Sequence, residues 1–144
     1  MAASTTITFS KIDTPYAGTH GIVEVKIDWV GDGITGLPPD TDFDATDVVD
    51  ILGRYCILGV TQPGAVATGG IVPDADYDIA IEDEYGCDIF GGNMVDRSDT
   101  AAEQALPLIG AAYGSRLCAG IWTFKLTGQT VADATGTCVL YFEI

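Results

Sequence analysis

Residues 21–29 read Gly-Ile-Val-Glu-Val-Lys-Ile-Asp-Trp, and this stretch decides the fold class. Apolar and charged side chains alternate along it with a period of two, which is the pattern of a β-strand with one buried and one solvent-facing side. The apolar face carries Val23, Val25, Ile27 and Trp29, and the other face carries Glu24, Lys26 and Asp28. The same alternation recurs at 77–82, 122–127 and 138–144, so the chain is expected to contain several half-buried strands.

Turn-forming residues separate these segments and predict an all-β fold. Sixteen of the 21 acidic residues are Asp, and the chain also has 18 Gly and 6 Pro, a composition that excludes a helical bundle. Further strands are predicted at 5–12, 54–60 and 87–91, with an acidic hairpin loop at 82–86. We expect one domain over residues 1–144: a single antiparallel β-sandwich of about seven to eight strands, Ig-like or jelly-roll-like.

The net charge restricts the partners that the chain is expected to bind. With 21 acidic and 6 basic residues the formal charge is −15, which argues against binding nucleic acid or an anionic membrane surface. The hydrophobic fraction of 47% argues against disorder. Most of the acidic residues fall in two regions, 28–50 and 74–88.

The first of these regions contains a long acidic loop, which we predict at residues 31–50. It is rich in Gly, Pro and Asp and shows no periodicity, and loops of this length are often functional or packed against a partner. Gly31–Gly36 matches G-x-G-x-x-G, but Leu37–Pro39 follows and cannot open the helix that phosphate binding requires. We therefore interpret Gly31–Gly36 as a turn.

The same loop has the beginning of a calcium-binding motif. Asp40, Asp42 and Asp44 form its D-x-D-x-D start, whereas Ala45 and Ile51 stand where the motif requires Gly and a bidentate Glu. The three aspartates are thus weak metal candidates, and a solvated Asp-rich turn is the favoured interpretation.

Residues 98–114 interrupt the alternation a second time. Thr100-Ala101-Ala102-Glu103 reads as a capping box for a short helix that Pro107 would end. The alternative is an extended connection that lies over the sheet.

No catalytic constellation is evident, so we predict neither enzymatic activity nor a cofactor. The single histidine, His20, lies in a predicted turn, and the sequence contains no GxSxG or CxxC motif. Apolar neighbours predict that the cysteines are buried free thiols: Cys56, Cys87, Cys118 and Cys138.

The aromatic residues divide into two groups. Four lie in phase with the apolar strand faces and are predicted to be in the core: Trp29, Trp122, Phe124 and Phe142. Four others fall in predicted loops, where exposed aromatic side chains favour a protein interface over a sugar site: Tyr16, Phe43, Tyr85 and Tyr113.

Residues 73–92 resemble a recurring pattern in small virion proteins of tailed bacteriophages, including a D-x-x-G-x-D-x-x-G-G hairpin at 83–92. Residues 54–64, the stretch 96–107 and the strands at 120–126 and 136–141, the last a G-x-x-V-L-Y motif, are similar as well. The 31–50 loop lies outside the resemblance.

The resemblance implies a β-sandwich that builds particles and names no catalytic residue. Other virion proteins and copies of the chain itself are then the expected partners, bound through the long loop and the terminal strands. Such a protein is made in the bacterial host cytoplasm, which fits a start without a signal peptide, and it resides in the virion as part of the tail, the neck or the capsid decoration. The alternative interpretation is a carbohydrate- or calcium-binding β-sandwich module.

Overall fold

The computed structural model describes residues 2–12, 21–64 and 70–143. Six strands of five or more residues provide most of the secondary structure: β1 Ser4–Ile12, β2 Ile22–Val30, β4 Tyr55–Pro63, β5 Asp78–Glu82, β10 Thr123–Thr127 and β11 Thr135–Glu143. Five short strands of two or three residues complete it: β3 Thr41–Asp42, β6 Glu103–Ala105, β7 Leu108–Ile109, β8 Ala112–Tyr113 and β9 Arg116–Leu117. A 3₁₀ helix spans Val48–Asp50.

The larger sheet, which we call the main sheet, has the strand order β1-β2-β11-β4-β6, with β9 also paired to β4. All its neighbouring strands run antiparallel. Strand β11 lies in the middle, where Leu140 is opposite both Val25 and Gly59. Because both its edges are hydrogen-bonded within the chain, β11 is not available to a neighbour, and the expectation that both terminal strands pair with a partner is wrong for this one. Strand β1 is an edge strand.

A second sheet, with the order β3-β10-β5, packs against the main sheet. The two Trp residues join the sheets: the ring centroids of Trp122 and Phe142 lie 5.4 Å apart, and those of Trp29 and Tyr77 lie 5.8 Å apart. The alternating apolar residues of the strands fill the space between the sheets, as their period predicts. The all-β, antiparallel sandwich architecture is thus confirmed.

The 31–50 segment is not the irregular loop that the sequence predicts, because it contains short secondary structure and packs against β1. It contains β3 and the 3₁₀ helix and runs along the inner side of β1. The Thr5 hydroxyl donates to the Pro39 carbonyl at 3.2 Å, and the Phe9 ring meets the Phe43 ring edge-on at 6.0 Å. Farther along, Lys11 Nζ lies 2.9 Å from Asp50 Oδ1. The segment therefore closes the sandwich beneath its edge strand.

The predicted strand at 87–91 is absent, and a turn takes its place. One carboxylate organises this turn: Asp88 accepts hydrogen bonds from the N–H groups of Phe90 at 3.1 Å and Gly92 at 2.8 Å. Gly91 and Gly92 adopt positive φ angles of 56° and 85°, which a strand does not contain. Within residues 87–91, Asp88 is the one residue in a β-bridge, and its partner is Glu82.

Between residues 98 and 114 the extended alternative is correct and the helix is not. Glu103 belongs to β6, which pairs with β4, and a β7–β8 hairpin follows. Capping-type hydrogen bonds form at Ser98 instead of the predicted Thr100, and they stabilise a turn: Ser98 N–H donates to Glu103 Oε2 at 2.7 Å, and Ser98 Oγ accepts from Ala101 N–H at 3.0 Å.

The cysteines are all free, and three of them are buried as predicted: Cys56, Cys118 and Cys138. The fourth, Cys87, is exposed, because it lies in the hairpin turn rather than in a strand.

Candidate interaction surface

The four aromatic residues predicted for an interface have different positions in the fold. Tyr85 is 83% exposed and Tyr113 is 69% exposed. Phe43 is 1% exposed and packs against Trp122, so its assignment as an interface residue is wrong. Tyr16 lies outside the described residues.

Tyr85 is presented by a tight turn that a buried carboxylate organises. Asp83 Oδ1 accepts the N–H groups of Tyr85 at 2.9 Å and Cys87 at 3.0 Å. Gly86, at φ 77°, supplies the left-handed conformation with which the turn ends. The hairpin turn predicted at 82–86 is therefore correct, and its tyrosine projects from a fixed backbone.

An ion pair ties this turn to the edge of the main sheet. The Asp83 side chain is 3% exposed and its other oxygen accepts a hydrogen bond from Arg116 of β9. Burial would raise the pKa of this carboxyl, but the N–H groups of Cys87 and Tyr85 together with the Arg116 guanidinium outweigh it, and the pKa lies below its usual value. Asp83 is thus ionised and holds the turn and β9 together.

Tyr113 lies on a second fixed element, the β7–β8 hairpin. Leu108 and Tyr113 are directly opposite each other in this hairpin, and Gly110, at φ 61°, makes its turn. Leu108 packs against Gly91, where an added Cβ would come within 3.0 Å of it. The hairpin is therefore held against the 87–92 turn while Tyr113 faces solvent.

Two shallow recesses adjoin Tyr113 and Leu106. One is about 260 Å³ in volume, and the other is about 300 Å³. We call their combined lining the Tyr113 surface; it consists of Ile57, Asn93, Gln104, Ala105, Leu106, Tyr113, Gly114 and Ser115. None of these eight residues is charged, although the chain carries a net charge of −15.

Exposed apolar side chains occur both in this surface and in the strands beside it. Leu106 in the surface is 49% exposed, and Tyr55 and Leu117, directly opposite each other in the β4–β9 pair, are 41% and 43% exposed. None of the three was predicted from the sequence as an interface residue. The apolar run at 106–109, which ends at Gly110, is the feature of the sequence that could have revealed the first of them.

The three aspartates of the calcium-like motif do not converge on a common point. Asp42 Oδ1 accepts a hydrogen bond from the Thr123 hydroxyl at 2.7 Å, and Asp44 Oδ1 accepts one from Thr46 N–H at 2.7 Å. Asp40 is exposed beside them. Within residues 2–12, 21–64 and 70–143, no group of three or more Asp, Glu, His or Cys side chains is arranged to hold a metal ion.

The buried thiols are poorly suited to nucleophilic chemistry. Burial raises the pKa of Cys138 to about 12 and that of Cys118 to about 11, and it raises the pKa of Cys56 as well. A thiol is nucleophilic only as the thiolate, so these groups remain inert near neutral pH. His20 lies outside the described residues.

A further recess, about 190 Å³ in volume, lies beside Trp29 and Gly136 at one end of the main sheet. Its two charged groups satisfy each other, since Lys26 Nζ lies 3.0 Å from Asp28 Oδ2. The second Asp28 oxygen accepts the Thr137 hydroxyl at 2.7 Å. Lys26, Asp28 and Thr137 are thus engaged within the fold, whereas the buried Trp29 Nε1 has no hydrogen-bond partner among the described residues.

Comparisons of the chain with protein-family models, with curated proteins and with solved structures found no match. In the part of the chain that the structure describes, no helix is long and apolar enough to cross a membrane.

Proposed function

We propose that this protein is a structural or adaptor component of a tailed-phage particle, in its tail, neck or capsid decoration. It acts through interfaces with other virion proteins and with copies of itself. The protein is made in the host cytoplasm and functions in the virion. The resemblance of several stretches between residues 54 and 141 to small virion proteins supports a place in a phage particle. The chemistry of the surface supports action through protein interfaces.

The observation that carries the proposal is the uncharged Tyr113 surface. Interface cores are depleted of charged residues and enriched in tyrosine, and the residues that contribute most binding energy lie in pockets that exclude water. Two adjoining recesses around an exposed Tyr113 and Leu106 provide this arrangement. In a strongly acidic chain, an uncharged area of this kind is where a protein partner can approach at the lowest electrostatic cost.

The surface is also fixed before a partner arrives. Asn93 Nδ2 donates to the Leu106 carbonyl at 2.9 Å, and Gly114 N–H donates to the Pro107 carbonyl at 3.0 Å. These contacts hold both ends of the 106–114 segment. A preorganised surface loses little conformational entropy on binding, which favours a permanent contact in a particle.

Incorporation into particles tests both parts of the proposal. Tagged wild-type protein and a Tyr113→Asp variant are expressed during infection, and the copies in purified particles are counted by quantitative mass spectrometry. We expect the wild type in particles and at least a tenfold loss for Tyr113→Asp, because a buried tyrosine at an interface commonly contributes more than about 1.4 kcal/mol. Ile71→Asp is the control, since Ile71 is 46% exposed and lies outside both the Tyr113 surface and the residues predicted for an interface.

Thermal unfolding of both variants verifies that they fold. Absence of the wild-type chain from purified particles would overturn the proposed function. Equal incorporation of Tyr113→Asp and wild type would overturn the assignment of the Tyr113 surface.

A further inference from the structure

We propose that β1 is a self-pairing edge: the β1 strands of two copies align antiparallel about a two-fold axis at Thr8 and join their main sheets into one. The inference rests on the proposed function in one respect, the expectation that copies of the chain meet. It adds the strand and the register by which they do so.

The free edge of β1 is long and unprotected. The strand runs for nine residues, and among the described residues only β2 pairs with it, in an unbroken register from Ser4 opposite Val30 to Ile12 opposite Ile22. Proteins that avoid edge pairing place proline, a bulge, an inward-pointing charge or a short strand at such positions. Strand β1 has no proline and no bulge. Its one charged side chain, Lys11, alternates in phase with the inward-facing Ile7 and Phe9, but it lies near the end of the strand and is neutralised by Asp50 at 2.9 Å.

Charge selects a second copy of the same strand as the occupant. The chain has a charge of −15, so most of its surface repels another copy, whereas residues 4–12 contain no acidic residue. Small polar side chains that form favourable cross-strand pairs occupy all but the last of the solvent-facing positions of β1: Ser4, Thr6, Thr8 and Ser10, followed by Ile12. Two β1 strands can therefore approach closely without opposing acidic groups.

The burial pattern restricts the register, and complete overlap of the two nine-residue strands selects one. Opposite residues in a sheet share a face, so an inward residue of one copy must face an inward residue of the other. Centring the pairing on Thr8 meets this condition over the whole strand and places Ile7 opposite Phe9 of the second copy. Both side chains pack on the core yet remain only half-buried, so the pairing covers apolar surface that the single chain leaves open.

The same register leaves no uncompensated charge at the joint. Lys11 of one copy comes opposite Thr5 of the other, and its ammonium group stays paired with Asp50 of its own chain at 2.9 Å. The two-fold axis repeats this arrangement at the other end. The paired strands therefore bring no like charges into contact.

Disulfide trapping tests the axis directly. Thr8→Cys is made in a Cys87→Ser background, which removes the one exposed native thiol, and the protein is oxidised with oxidised glutathione. Opposite residues of an antiparallel pair have Cα atoms about 4.5–5.5 Å apart, within the range that a disulfide spans. We expect a disulfide-linked dimer on a non-reducing gel.

Thr6→Cys in the same background is the matched control, because it lies on the same face of the same strand. In the proposed register Thr6 is opposite Ser10, and the two Thr6 positions are separated by roughly 13 Å along the strands, which is too far for a disulfide. Equal linking of both variants, preferential linking of Thr6→Cys, or linking of neither would overturn the proposal.

Sedimentation of unmodified protein supplies an independent readout. We expect a reversible dimer that Thr8→Lys weakens at least tenfold, since the two introduced charges face each other, whereas Ser4→Lys, opposite Ile12, leaves it intact. A monomer at all concentrations would overturn self-pairing. Wild-type incorporation into particles would then still stand as the test of the proposed function, so the two failures are distinguishable.

Discussion

The two edges of the main sheet are built in opposite ways. At one edge, two short strands, β6 and β9, pair with the side of β4 that faces away from β11. They cover only part of its nine residues. At the other edge, β1 offers nine residues in one uninterrupted run. Interrupted short strands discourage pairing with another chain, whereas a continuous strand permits it. The Tyr113 surface lies at the covered edge, so it and β1 can be occupied at the same time.

Removing the ion pair at the covered edge is expected to have the largest effect on stability. Arg116→Met removes the partner of Asp83, whose carboxylate is 3% exposed, and leaves a buried charge uncompensated. We expect a loss of about 3 kcal/mol in the free energy of unfolding, at the lower end of the usual range because Arg116 itself is 31% exposed. Urea unfolding followed by the fluorescence of the buried Trp29 and Trp122 measures it.

The open edge supplies the matched control. Lys11→Met removes an ion pair with Asp50 whose side chains are 63% and 36% exposed, and such pairs contribute about 0–1 kcal/mol. Similar losses for Lys11→Met and Arg116→Met would contradict the contrast between the edges.

The ion pair at the covered edge also depends on pH. The pKa of Asp83 is lowered in the fold, so its contribution to the free energy of unfolding is present above about pH 4 and is lost as the pH falls below that value.

Ionic strength is expected to have a smaller effect, which acts on the pairing of the open edge, β1, with a second copy. Two copies of charge −15 repel each other, and raising salt from 0.01 M to 0.1 M shortens the screening length from about 30 Å to about 10 Å. We therefore expect the dissociation constant of the β1-paired dimer to fall several-fold over this range. Sedimentation at each salt concentration measures the dissociation constant, and a constant that rises with salt would contradict the prediction.

The smallest expected effect concerns the turn with which the 31–50 segment begins. Asp32 accepts hydrogen bonds from the Thr35 hydroxyl and from the Thr35 and Ile34 N–H groups, which lower its pKa to about 2. Thr35→Ala removes the largest of these influences, so the pKa should rise toward its usual value. In the wild type the stabilisation is present above about pH 4 and is lost as the pH falls toward 2.

Carboxyl-carbon NMR titration reads the Asp32 pKa directly. Thr46→Ala is the control, because Thr46 lowers the pKa of Asp44 in the same manner without contacting Asp32. An unchanged Asp32 pKa in Thr35→Ala would contradict the assignment of the turn.

The strands were predictable from the sequence, whereas their order was not. Alternation at 21–29 reports which face of a strand is buried, and β2 and the core positions of Trp122 and Phe142 follow from it. It does not report which strand lies alongside, so the central position of β11 could not be inferred. The failure at 87–91 has a local cause: the Asp88 carboxylate and two glycines at positive φ stabilise a turn in a segment with an apolar centre.

The candidate surface was predictable in part, for a similar reason. Tyr113 lies between Gly110 and Gly114, and this turn context correctly indicated an exposed aromatic side chain. Phe43 lies between two aspartates, a more polar sequence context, yet it is buried through contacts with Phe9 and Trp122, which are distant in the sequence. Ile57 also lines the surface, and it lies at the irregularity where β4 slips relative to β11, which the alternation in the sequence does not reveal.

The central position of β11 also constrains when the fold can form. Strands β2 and β4 are both synthesised well before β11, yet neither pairs with the other, and each receives its shared neighbour only from residues 135–143. Until those residues emerge, a nascent chain presents two long, half-apolar strands with open edges, a state prone to aggregation. Most contacts of the main sheet are therefore non-local, and such topologies fold slowly. A fragment that ends before β11 therefore cannot complete the main sheet.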